Sequence, residues 1–434
     1  MRFSALDGLT IGVWGAGLET RSFARHVAER LPRARVAVVV LEEPADAPEL
    51  TDGALVVDAA GAPDALRSCD VVVRSPGVSI YRPELRGLRT TTPTALWMAE
   101  REGRDVIGVT ATKGKSTTSK LIAHLVAAAG VPVELGGNIG APALDLLDSE
   151  ALAVIELSSY QIADLATGPE TAVVSNVYAE HVNWHGSVEA YRADKLRLLT
   201  LPGVRRCVLN ATAPLVMAAP RVADADVLTF GAEPGWHVRE DGAVARGHQA
   251  IAALPLIGRH NALNVCGALT ALEAVGVSLE DPAAALADFV GLDHRLQIVH
   301  EAGGVRWVDD SISTEPEAAK FAIESFPDAD IVLIGGGFDR AQDYAALGVT
   351  LAARGARVLA LPDTGARLVD AAWAAGVPHD RATLVSDLEA AVAAARAVAR
   401  PGTVVLLSPA APSFNTHKNF AVRGDHFAEL ARAS

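Results

Sequence analysis

The stretch Val106-Ile107-Gly108-Val109-Thr110-Ala111-Thr112-Lys113-Gly114-Lys115-Ser116-Thr117-Thr118 constrains the fold of this chain more than any other. An apolar run breaks into small residues and then into Gly-Lys-Ser-Thr, which reads as strand, turn and helix. Such a turn surrounds a polyphosphate with backbone N–H groups and a helix N-terminus, while the lysine adds a mobile positive charge. Five residues separate Gly108 from Gly114, against four in the standard loop, and Ala111 stands where a glycine is expected. In this pattern Lys115 reaches phosphate and the Ser116 hydroxyl faces Mg²⁺. Taken alone, the motif is also compatible with a turn carrying a solvated basic pair.

A chain of 434 residues exceeds what one hydrophobic core serves, so two or three domains are expected. A net charge of −14 and a pI near 5.3 argue against general affinity for nucleic-acid backbones or anionic membranes. No apolar run is long enough to span a bilayer, and residues 1–8 carry no apolar secretion region. Cys69, Cys207 and Cys266 lie far apart, without His or Cys at metal-ligand spacing, which fits core thiols in a reducing compartment. The protein is expected in the cytoplasm.

Residues 9–14 read as a buried strand, followed by Gly15-Ala16-Gly17 and a helix over residues 19–30. This is a Rossmann-like opening that lacks the third glycine of the dinucleotide fingerprint. Strands at 36–41, 55–57 and 70–74 follow, the last running into Ser75-Pro76-Gly77. Ligands collect at the carboxyl ends of such strands, so Gly15, Gly17, Ser75 and Gly77 are candidates to line one nucleotide pocket, with tight-turn chemistry as the alternative.

Beyond the phosphate loop, a helix over 116–129 ends at Gly130, a strand is expected at 131–135, and Gly136-Gly137-Asn138-Ile139-Gly140 forms a second flexible loop. Glu156 ends an apolar run, where a buried carboxylate is costly unless it is paired or bound to a metal. A strand at 171–177 delivers Glu180 and His181, and Tyr191-Arg192-Ala193-Asp194-Lys195 follows. In the last third, 297–300 and 305–310 pair around Gly303-Gly304, and 331–337, 358–361 and 404–407 read as parallel strands between alanine-rich helices.

Taken in order, Thr112-Lys113-Gly114-Lys115-Ser116-Thr117, Gly136-Gly137-Asn138-Ile139-Gly140, Glu156-Leu157-Ser158-Ser159, Glu180-His181 and Tyr191-Arg192-Ala193-Asp194-Lys195 resemble the motifs of the Mur ligases, MurD type, and the resemblance runs over nearly the whole chain. It implies an α/β protein of three domains: a Rossmann-like domain over 1–93 for a UDP-linked substrate, a central P-loop ATPase-like domain with a mostly parallel sheet over 94–292, and a Rossmann-like domain over 293–434 for an amino acid. It implies a monomeric ATP-dependent amide ligase joining glutamate to UDP-N-acetylmuramoyl-L-alanine through an acyl phosphate, in peptidoglycan precursor synthesis. ATP would be held by Thr112, Gly114, Lys115, Ser116 and Thr117, with Asn264 on the adenine side and Arg295 and Asp310 reaching in from the last domain. By the same resemblance Lys115, Glu156, His181 and Lys195 are catalytic. Two Mg²⁺ sites would draw on Ser116, Glu156, His181 and Lys195, the last carrying CO₂ as a carbamate, which gives a hard cation an oxygen donor. Asn138, Ser158 and Gln161 would join Gly15, Gly17, Ser75 and Gly77 around the UDP substrate, and Thr314, Arg340, Ser413 and Phe420 would receive glutamate.

Two segments depart from the D-glutamate pattern. Asp310-Ser311-Ile312-Ser313-Thr314 replaces Asp-Ser-Lys-Ala-Thr, and Arg340 falls where a lysine is usual. Enantiomers differ in how three groups meet three contacts, so changed basic partners can reverse the preference, and this form resembles relatives that add L-glutamate. The alternatives are the same ligase acting on D-glutamate and a folylpolyglutamate synthetase-like ligase, against which the Rossmann-like N-terminal unit argues. A nucleotide-regulated binding protein is disfavoured by the retention of Lys115, Glu156, His181 and Lys195, and a nicotinamide oxidoreductase leaves the phosphate loop unexplained.

Overall fold

Three sheets rich in parallel strands follow one another along the chain in a computed structural model that describes residues 1–42, 47–252, 254 and 256–433. The first contains β1 (Thr10–Trp14), β2 (Arg35–Val40), β3 (Leu55–Val57), β4 (Val71–Arg74) and β5 (Thr90–Thr91), in the order β3-β2-β1-β4-β5 with every pair parallel. The winding reverses between β1 and β4, so the turns after these two strands open on one crevice. Ile11, Val13 and Trp14 have no exposed surface, as expected of a strand covered on both faces.

The second sheet contains β6 (Val106–Thr110), β7 (Val133–Gly137), β8 (Leu152–Glu156), β9 (Thr171–Val174), β10 (Arg206–Asn210) and β11 (Asp226–Phe230), ordered β11-β10-β9-β6-β8-β7 and again parallel throughout. β6 is buried along its whole length between β8 and β9. The helix Lys115–Ala128 that follows ends with Gly130 at φ 75°, the Gly130 N–H donating to Ala127 O and the Val131 N–H to Val126 O. This Schellman closure consumes residues 130–131, which is why the strand expected from 131 starts at Val133. A small antiparallel sheet, β12 (His237–Val238), β13 (Val244–Arg246) and β14 (Gln249–Ile251), follows and was not legible in the sequence.

One core runs through both sheets. Phe3, Phe23, Leu96 and Trp97 share it with Leu144, Ile155, Leu165 and Leu199, so the first two sheets lie in a single compact unit, Met1–Pro255 with His260–Phe289. Cys207 and Cys266 are buried, whereas Cys69 is half-buried.

The second unit, Leu256–Arg259 with Val290–Ser434, carries β15 (Gln297–Ala302), β16 (Val305–Asp309), β17 (Asp330–Gly336), β18 (Arg357–Leu361), β19 (Ala382–Leu384) and β20 (Thr403–Leu407). The order is β15-β16-β20-β17-β18-β19, with β15 antiparallel to β16 and the other pairs parallel. The two-residue period of a strand is visible in the packing: Ile331, Leu333, Val404 and Leu406 fill one face, and Val332, Ile334, Val405 and Leu407 the other. Among the described residues no helix is long and apolar enough to cross a membrane.

Candidate active site

β6 delivers the phosphate loop. Gly114 has φ 88°, and a Cβ there would sit 2.6 Å from Asn264 Oδ1, so both conformation and space require glycine. The helix Arg259–Ala274 thereby lays Asn264 directly on the loop. The other side is stitched to the end of β9: the Thr112 N–H donates to Asn176 O at 2.8 Å, the Lys113 N–H to Asn176 Oδ1 at 2.9 Å, and Asn176 Nδ2 to Lys113 O at 2.9 Å. The Thr112 hydroxyl accepts from the Tyr178 N–H at 2.9 Å and pairs with the Tyr191 hydroxyl at 2.7 Å. Asn176 and Tyr191 therefore shape the loop, although neither was singled out as a site residue from sequence.

Two lysines meet on this loop. Lys115 Nζ donates to Ala111 O at 3.1 Å and Thr112 O at 3.2 Å, while Lys195 Nζ donates to the same Ala111 O at 2.9 Å and to Thr110 Oγ1 at 3.3 Å. Lys195 is only 2% exposed. Burial first, and the Lys115 charge second, hold its ammonium well below the ordinary lysine range.

Glu156 stands in register with Val109 of β6 and Gly137 of β7, at the carboxyl edge of the sheet. It is 1% exposed; Oε1 accepts from Asn138 Nδ2 at 2.7 Å, and the buried Oε2 has no hydrogen-bond partner among the described residues. A half-satisfied buried carboxylate costs on the order of 1–3 kcal/mol, so an oxygen in this state fits a cation ligand. His181 adopts φ 55° at the start of the turn Val182–His185; burial lowers its pKa, Lys115 and Lys195 add to this, and Glu180 opposes. Glu180 also pairs with Lys113 Nζ at 2.5 Å. Among the described residues no group of three or more His, Cys, Asp or Glu is placed to hold a metal ion. Ser116 is half-buried in the first turn of the helix Lys115–Ala128, and a Mg²⁺–nucleotide site draws few ligands from protein, with phosphate and water completing the shell.

At the first sheet Gly15, Gly17 and Ser75 converge: a Cβ on Gly15 would lie 2.9 Å from Ser75 Cβ, and one on Gly17 3.0 Å from Ser75 Oγ. Gly77 does not join them; its surroundings are open and its carbonyl accepts from Trp184 Nε1 at 3.1 Å. Asn138 is engaged with Glu156, and Ser158 and Gln161 form a capping box on the turn Ser159–Ile162. Gln161 Nε2 also donates to Glu19 Oε1 at 2.7 Å, tying the helix Leu18–Arg30 to the end of β8.

In the second unit Asp310 follows β16, 2% exposed, accepting from Ser408 Oγ at 2.6 Å and from the Leu296 N–H at 3.3 Å. Arg295 holds a buried Nε without a hydrogen-bond partner. Thr314 and Phe420 are half-buried, the latter accepting at its carbonyl from Ser311 Oγ at 2.8 Å. Ser413 is 2% exposed with an unpartnered hydroxyl, and Arg340 is exposed. Burial pushes Asp310 from 3.8 up to about 6, against the hydrogen bonds from Ser313 and Ser408 and the charge of Arg295. The native state therefore binds an extra proton between these values, and stability should fall as pH rises through that window, by up to about 3 kcal/mol, then stay level above it. Urea unfolding of the parent and Asp310→Asn from pH 4 to 7 checks this, and parallel pH curves would contradict it.

Residues 109–272 match the Mur ligase middle domain and residues 294–411 the Mur ligase glutamate ligase domain. Relatives called UDP-N-acetylmuramoyl-L-alanine–L-glutamate ligase from Micromonospora sp. and Xanthomonas euvesicatoria pv. vesicatoria are 42% and 41% identical, covering 100% and 99% of this chain and 98% and 97% of their own. A solved structure, UDP-N-acetylmuramate-alanine ligase MurC from Thermotoga maritima, aligns at a TM-score of 0.61 over 97% of this chain and 98% of its own. At 18% identity this likeness is one of fold alone. Phosphate loop, sheet order and matched domains together define an ATP-dependent ligase that forms amide bonds. Within that class the chain belongs to the Mur ligase family.

Proposed function

We propose that the protein joins L-glutamate to UDP-N-acetylmuramoyl-L-alanine in peptidoglycan precursor synthesis, acting as a cytoplasmic monomer and converting ATP to ADP and phosphate. The observation that carries the ATP-dependent chemistry is the shared carbonyl of Ala111, where the Lys115 and Lys195 amines converge on one loop. The Lys115 cation, placed on a loop of this kind, calls for a polyanion beside it. The substrate carboxylate attacks the γ-phosphate and ADP leaves; the glutamate amine then adds to the acyl phosphate, and phosphate departs from the tetrahedral adduct. Lys115 follows the transferred phosphoryl group.

Ser116, Glu156 and His181 would hold Mg²⁺, whose chemistry when bound is to neutralise phosphate oxygens. Lys195 is suited to take up CO₂, because burial holds its pKa well below the ordinary lysine range and so favours the neutral, nucleophilic amine, and the carbamate would offer oxygen to a second cation. Gly15, Gly17 and Ser75 would receive the diphosphate of the acceptor, and Thr314, Arg340, Ser413 and Phe420 the amino acid. The unpartnered Ser413 hydroxyl supports that assignment.

The choice of L-glutamate is supported by the names of the relatives and by Ile312 and Arg340, where a charged contact is lost and a point charge gives way to a planar fork. A misplaced carboxylate leaves a charged partner unsatisfied, so kcat/KM should favour L-glutamate by roughly a hundredfold or more. ADP release measured with the UDP acceptor and each enantiomer separately tests this. Faster turnover of D-glutamate would overturn the stereochemical choice, and no turnover with either would overturn the assignment.

A further inference from the structure

Phe338 and Phe414 are 40% and 57% exposed, an unusual placement for two phenyl rings on loops that leave the carboxyl ends of neighbouring strands. The loop after β17 is joined to the loop after β20 by backbone hydrogen bonds from the Gly336 N–H to Pro409 O at 2.7 Å and from the Phe338 N–H to Pro412 O at 2.8 Å. The two rings meet edge to face, 6.1 Å between centroids at 74°, and Arg340 Cζ lies over the Phe414 ring at 5.6 Å.

The Arg340 backbone is fixed independently of that ring. Its N–H donates to Gln342 Oε1 at 3.0 Å, and the next N–H, of Ala341 at φ 58°, donates to Asp339 Oδ1 at 2.6 Å. Arg367 Nη2 braces the same Asp339 oxygen at 2.6 Å. The side chain beyond this anchored backbone is different: among the described residues no hydrogen bond or ion pair engages the Arg340 guanidinium. A phenyl ring has no lone pair to offer, so the contact with Phe414 orients the cation without consuming any of its five N–H donors. Those donors stay available for a carboxylate, which a guanidinium fork binds in a defined plane.

We propose that Phe414 is a positioning residue that aims the Arg340 fork at a carboxylate of the incoming amino acid, with Phe338 steadying the ring, and that it thereby sharpens discrimination between glutamate enantiomers. This rests on the reading of the second unit as the amino-acid site. The adjacent residue, Ser413, brings a buried and unpartnered hydroxyl on the same loop, so one short segment carries both a hydrogen-bonding group and the ring that orients the cation. Inverting the α-carbon moves the carboxylate relative to the amine. A fork held in one place penalises that move more than a freely rotating one does.

The test is a double-mutant cycle read in steady-state kinetics. Phe414→Ala should raise KM for L-glutamate about fivefold and lower the L-to-D ratio of kcat/KM by a similar factor, the scale of one exposed cation–π contact. KM for ATP and for the UDP acceptor should stay within about twofold, and Phe414→Tyr should behave like the parent because the ring is kept. In an Arg340→Ala background Phe414→Ala should have no further effect. An unchanged glutamate KM in Phe414→Ala, or an equal effect with and without Arg340, would overturn the positioning role. If Arg340→Ala itself leaves the glutamate KM untouched, the amino-acid site falls, and this inference with it.

Discussion

Lys115→Ala should release ADP at roughly a thousandth of the parent rate or less, with the fold intact. The Lys115 amine sits over the loop carbonyls of Ala111 and Thr112, and its side chain is half-buried, so truncation removes little packing. The loop backbone and the N-terminus of the helix Lys115–Ala128 remain, so nucleotide affinity should fall less than kcat. What is lost is a charge that moves with the phosphoryl group, and such a charge matters most in the transition state. Near-parent ADP formation at saturating ATP would sink the phosphate-loop assignment.

Lys195→Ala should be similarly inactive but chemically rescuable. Its amine is buried beside Thr110 and Ala111, and among the described residues no carboxylate is hydrogen-bonded to it; its charged form is repelled by Lys115 and attracted by Glu180 and Glu156. Thermal stability should fall modestly, because a buried side chain is truncated, while a space opens next to the loop. Formate or acetate entering that space supplies the oxygens a carbamate would have supplied, and part of the activity should return in proportion to added carboxylate. Full activity of the variant without any addition would remove Lys195 from the mechanism.

The parts of the site that lie within one loop could be read from sequence, because strand, turn and helix signals act over a few residues. Gly114 and Lys115 are such positions, and the structure gives Gly114 a left-handed φ and a close neighbour in Asn264. The need of Glu156 for a partner was also legible, though the partner, Asn138, was assigned to the acceptor substrate instead. Contacts across folded distance were not legible. Nothing local to Asn176 reveals that its amide clasps residue 113, nothing in Gln161 points to Glu19, and Phe414 reads as an ordinary loop hydrophobe until Arg340 lies over it. The strands of the 237–251 sheet escaped because they are two or three residues long, too short to show a period.

The interior of the third sheet is closed on itself, with one apolar cluster on each face drawn from the second unit. Every candidate contact to the amino acid is rooted in that interior, whereas the loop of Gly114 and Lys115 is rooted in the interior shared by the other two sheets. Core substitutions in one of these interiors leave the core residues of the other in place. If the second unit receives the amino acid as proposed, a lineage can retune that choice by repacking one interior while inheriting the interior beneath the phosphate loop unaltered.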